Sequence, residues 1–160
     1  MAQRWTPSDG IVSPEMEAAM DTREAQKVVR RLAAAEGFLQ LEMPNYALVE
    51  LDSVTDAGPL EAVAQLFRGE ALQAQAQFAD AIPLLRKAAE LFPAPFNQRA
   101  LLDLSHCYRE QGEVELADRA EADAAPPLGP DGEPLEVRLV VLPIFEVQSG
   151  KSQFGRNSGK

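Results

Sequence analysis

Small and large apolar positions recur along the chain in one phase. Small residues stand at Ala35, Gly69 and Ser105, and each is followed three residues on by a large one, Phe38, Leu72 and Tyr108. Alanines follow at Ala47, Ala81 and Ala117, with Leu51 and Val54, Leu85 and Ala88, and Glu121 and Ala124 at +4 and +7 from them. The first repeat step is 34 residues and the second is 36. A small residue on one helix lets the large side chain of its neighbour approach, and the +4 and +7 stripe turns one face of the second helix inward. Pro59 and Pro93 close the first two units, because proline cannot continue a helix. Each unit therefore predicts helix, turn, helix, stop. Ser13 and Pro14 predict an N-cap and a short helix over 14–20, and Asp21 with Glu24 predicts a capping box that starts the first long helix near Thr22.

The pattern changes after Ala125. PPLGPDGEP, residues 126–134, reads as a Pro/Gly linker. LEVRLVVLPIFEV, residues 135–147, is β-prone, does not alternate cleanly and is interrupted by Pro143, so it predicts an extended or edge segment rather than a central strand. Bare, it would aggregate. Three coverings compete: the chain's own hairpins, a second copy, or a different partner taking it as an added strand. Residues 148–160 read as a polar tail and 1–21 as an N-terminal extension, in which Trp5 is compatible with solvent or with packing on the first hairpin.

FADAIPLLRKAAELFP (78–93) resembles the second half of a tetratricopeptide repeat, and ALLDLSHCYREQGEVELA (100–117) the middle of the next, with Gly112 in its turn. AAEGFLQLEMPNYALVELDSV (34–54) is a weaker match. The departures are specific: Arg31 and Gln65 stand where an aromatic or leucine is expected and only Leu101 fits, Glu42 and Ala76 replace the turn glycine, and Glu121 replaces a large apolar residue. The resemblance implies an all-α, right-handed α-solenoid of three helical hairpins over residues 22–125, followed by the linker and the extended segment.

Net charge is −10, with a sequence pI near 4.6. Such a field repels a phosphate backbone, so nucleic acid is not an expected partner, while a protein with basic segments is. No apolar run approaches the roughly 18 residues of a membrane span, and no apolar stretch follows Arg4, so neither membrane insertion nor a secretory signal is expected and the cytoplasm is the expected location. One cysteine, Cys107, and one histidine, His106, exclude an internal disulfide and argue against a structural zinc site. Gly150-Lys151-Ser152 lacks the glycine that a phosphate loop needs, having Phe145 there. Asp103, Ser105 and His106 have the residue types of a hydrolytic triad, yet neighbours on one helix point apart. No enzyme activity and no cofactor or metal is expected.

The resemblance also implies that the first helix of each unit lines a groove. Helical spacing then puts Glu36 and Gln40, next Phe67, Glu70 and Gln73, and finally Arg99, Asp103, His106, Arg109 and Glu110 on it. Phe67 and the arginines are its expected anchors, against the alternative of ordinary solvated surface. His106 is either a pH-sensitive contact or a plain surface neighbour of Asp103. Some relatives clamp the acidic C-terminus of heat-shock chaperones, but Leu32, Glu36, Phe67, Arg99 and Asp103 at the matching places keep only one base, which disfavours that ligand. The expected function is non-catalytic binding of a peptide or protein segment. The rivals are a dedicated chaperone for a secreted or assembled client, like the small acidic tetratricopeptide chaperones of bacterial secretion systems, and self-assembly through Val137–Val147.

Overall fold

A computed structural model describes residues 14–126 and 128–134, with side chains from Thr22 onward. The expectations for 1–13, including Trp5, and for 135–160 lie outside the described residues. Six α-helices follow in order: α1 (Pro14–Gln40), α2 (Pro44–Asp52), α3 (Glu61–Ala74), α4 (Phe78–Leu91), α5 (Gln98–Glu110) and α6 (Val114–Asp123). The described residues contain no strand, only an isolated antiparallel bridge between Leu128 and Pro134.

The helices pair as hairpins, α1 with α2, α3 with α4 and α5 with α6. Each second helix also packs on the first helix of the next unit, and α3 touches both α1 and α5. First helices thus form one layer and second helices the other, as an array of hairpins requires. The landmark residues are the contacts. Ala35, Ala47, Ala81 and Ala117 are fully buried and Ser105 nearly so. A Cβ on Gly69 would stand 2.6 Å from Cγ and Cδ2 of Leu85, so the second unit's small slot admits nothing larger than glycine without movement.

The three turns within the hairpins share one backbone geometry. Glu42, Ala76 and Gly112 take φ of 57°, 58° and 79°. The next residue's N–H then reaches back to the carbonyl of Phe38, Leu72 or Tyr108, at 2.9, 2.9 and 2.8 Å. This is the six-to-one bond of a Schellman ending, which needs a left-handed residue. Two of the three turns therefore hold it without glycine, against the ordinary steric preference.

Two boundaries differ from the sequence expectation. Helix α1 begins at Pro14 but runs through Asp21 without a break, since no glycine or proline lies between Glu15 and Glu36 to stop it. Helix α2 stops at Asp52, well before Pro59, which instead lies in a 3₁₀ turn (Gly58–Leu60) leading into α3. The stop has its own cause. The Arg68 guanidinium donates to the carbonyls of Leu51 (2.8 Å) and Val54 (3.0 Å), and the Ser53 hydroxyl to that of Val49 (3.1 Å), so the end of α2 is capped from α3. Pro83, inside α4, costs one backbone bond to Ala79; both residues are exposed, and water can satisfy the freed carbonyl.

Candidate functional site

The first-helix layer brings together four charged side chains from three helices. Glu70 of α3 accepts two hydrogen bonds from Arg99 of α5, at 2.5 Å from Nε and 2.7 Å from Nη2. Glu36 of α1 lies 3.7 Å from the same guanidinium. Glu36 and Glu70 stand 34 residues apart, at equivalent positions of consecutive units. Bidentate pairing holds the Arg99 plane in place, and the guanidinium carbon sits 5.4 Å from the centroid of the Phe67 ring. Phe67 is itself fully buried. It is the floor under Arg99 rather than the surface anchor expected from the sequence.

Asp103 completes the cluster one turn beyond Arg99. Its Oδ2 is sealed from solvent without a hydrogen-bond donor. Burial pushes its carboxyl up to about 8, with the charge of Glu70 and a hydrogen bond to it adding to the rise, and only Arg99 opposing it. Burial also raises Glu70, against the pull of Arg99. One arginine does not neutralise three carboxylates, and a proton held between Asp103 and Glu70 removes the worst of the repulsion. Glu36 is 5% exposed, so the cluster is a sealed joint between the three units more than an open surface.

What remains open on this layer lies on α5. Arg99, Leu102, Asp103 and His106 occupy i, i+3, i+4 and i+7 of one helix face. Leu102 is 47% exposed, His106 is exposed, and the Arg99 side chain is 37% exposed. The His106 ring meets the edge of Phe78 at 5.9 Å. Sequence reading missed Leu102, although its spacing from Arg99 and His106 carried the signal. Gln40 and Glu110 are exposed and Gln73 is half-buried on their helices. Arg109 does not join the site. Ten residues beyond Arg99 it has drifted by roughly 80° around the helix, and it pairs with Asp118 (3.1 Å) and Glu121 of α6. The glutamate in the expected large-apolar position of the third unit is thus held by that arginine.

Ser105 is buried while its neighbour His106 is exposed, so the two do not form a nucleophile–base pair. Cys107 is fully buried, and burial, with the nearby Asp103 charge, pushes its thiol up to about 11, which keeps it inert. Among the described residues no group of three His, Cys, Asp or Glu side chains could hold a metal ion, and no helix is long and apolar enough to cross a membrane.

Stacked helical hairpins joined through their first helices define a helical-repeat protein. Residues 72–134, from the end of α3 through the linker, match the tetratricopeptide repeat family. No curated protein and no solved structure matches the chain. Repeats of this family generally serve as non-catalytic modules of protein–protein interaction.

Proposed function

We propose that this chain binds an extended or helical segment of another protein across the first-helix layer, with the Arg99–Leu102–Asp103–His106 face of α5 as its centre. The observation that carries the reading is Leu102, half exposed in the middle of that face between charged and aromatic-capable groups. An apolar anchor ringed by polar groups is the usual energetic centre of such a contact. Carboxylates outnumber Arg99 around it, so the partner segment brings a basic side chain as well as an apolar one. Acidic partners, nucleic acid included, are repelled by the net charge of −10. In this reading the protein works in the cytoplasm.

Affinity capture from the source lysate tests it, with the natural chain compared to a Leu102→Asp, His106→Asp variant. Both positions are exposed, so the variant keeps the helical circular dichroism of the parent. A protein retained by the natural chain and lost by the variant supports the reading. Equal retention by both removes the α5 face as the site. A single stoichiometric client would mark the dedicated-chaperone version, and capture of the chain itself the self-assembling one.

A further inference from the structure

Four large apolar side chains lie exposed at the first hairpin's turn and along α2. Leu41 (68%), Tyr46 (57%) and Val49 (64%) are more than half exposed, with Met43 between them in the chain. Tyr46 and Val49 stand at i and i+3 on the outer side of α2, while Ala47 and Leu51 turn inward. The Tyr46 ring stacks on Phe38 of α1, with centroids 5.5 Å apart and planes at 29°, which holds it in place. The other two hairpins serve as an internal control. At the four equivalent positions the second carries Gln75, Gln77, Asp80 and Pro83, and the third Gln111, Glu113, Leu116 and Arg119. All three share the same turn geometry, so the fold does not require apolar side chains at these places.

Two acids bracket the patch. Glu42 lies between Leu41 and Met43, and Asp52 follows Val49 at i+3, both exposed. Glu50 on the same helix is held by Arg31 at 2.6 Å. Four side chains are far fewer than the roughly 20–30 residues a side of a stable dimer interface. A second copy would also bring its own Glu42 and Asp52 against this rim, at a net charge of −10 per chain. From its N-cap Met43 to Val49, α2 rises about 9 Å, which two turns of a partner helix would span. We infer that this patch docks an amphipathic helix of another protein, whose apolar stripe covers Tyr46 and Val49 and whose flanking lysines or arginines meet Glu42 and Asp52. The patch belongs to α2 and its turn, and the α5 face to the first-helix layer. It is therefore a second site, and failure of the α5 reading leaves it standing.

The probe is a synthetic helix of roughly 14 residues, with leucines at i, i+3, i+4 and i+7 and lysines on both flanks of that stripe. Titrated into the isotopically labelled full chain, it is expected to shift the amide resonances of 41–52 above all others. A Leu41→Gln, Met43→Gln, Tyr46→Asp variant carries the second hairpin's residues at the equivalent places, and its folding is checked by circular dichroism. Its Kd for the probe is expected to be weaker by about tenfold or more. The Leu102→Asp, His106→Asp variant is expected to bind the probe as the natural chain does. Shifts centred on α5, equal binding by the triple variant, or no binding of the probe up to millimolar concentration overturns the inference. Equal binding of a probe with glutamates in place of the lysines overturns it too, as does a natural chain that dimerises through this patch and becomes monomeric in the triple variant. Should the triple variant not fold, the shift map of the natural chain decides alone.

Discussion

Asp103→Asn removes the acid whose proton the cluster holds, and it separates that proton from every other titration in the chain. In the folded protein Asp103 is raised from an ordinary value of 3.8 to about 8. The native state therefore keeps a proton that the unfolded chain releases. Stability falls as pH rises from the ordinary carboxylate range to about 8, and levels off above it. One linked proton changes the unfolding free energy by about 1.4 kcal/mol per pH unit. With the titration half complete at about 8, the loss between about pH 6 and about pH 8 is roughly 2 kcal/mol. For a domain of this size that is about 6 °C in Tm. The asparagine amide donates to Glu70 as the acid proton does, and it does not titrate. Glu36, Glu70 and Arg99 remain in the variant, so their contributions largely cancel in the comparison. Thermal melts followed by circular dichroism across that pH range are the assay. The natural chain is expected to lose about 6 °C relative to the variant as pH rises. A Tm difference that stays constant with pH would refute the shared proton.

Three further outcomes follow from the packing. Gly69→Ala forces a methyl to 2.6 Å from Leu85 and is expected to cost about 1–2 kcal/mol despite alanine's helix preference; in a double-mutant cycle with Leu85→Ala the two losses should be less than additive, and strict additivity would contradict the contact. Ala76→Gly and Glu42→Gly release left-handed strain at φ 58° and 57° and should each raise stability by up to about 1 kcal/mol in urea melts, whereas Gly112→Ala should lower it. The buried Cys107 thiol, pushed up to about 11, should be silent to an aromatic disulfide reagent in the native chain and react stoichiometrically in denaturant; rapid native labelling would contradict its burial.

What the sequence made legible follows from the range of the interactions involved. The phase of the hairpins rests on contacts between adjacent helices, which write small and large residues at fixed spacing, and Ala35, Gly69 and Ser105 are buried as that spacing requires. The turns at Glu42 and Ala76 carry no glycine, yet the phase placed them, because the packing of the flanking helices fixes the backbone whatever the residue. The end of α2 was not legible: its cap comes from Arg68, 17 residues away from Leu51, and nothing local announces it. In the candidate site, Glu36, Glu70, Arg99 and Asp103 were each picked out singly, but their union is a long-range product of stacking three first helices. Projection of one helix face misjudged Phe67 because it counts angle and not depth, and it misjudged Arg109 because a 100° step accumulates over ten residues.

The central claim is that the α5 face holds a protein segment through Leu102. Once a partner has been captured, its contacting segment can be made as a synthetic peptide and titrated calorimetrically against the natural chain and against Leu102→Asp. The account predicts a Kd at least tenfold weaker for the variant, a loss of about 1.4 kcal/mol or more. An unchanged Kd, with the variant folded, would contradict it.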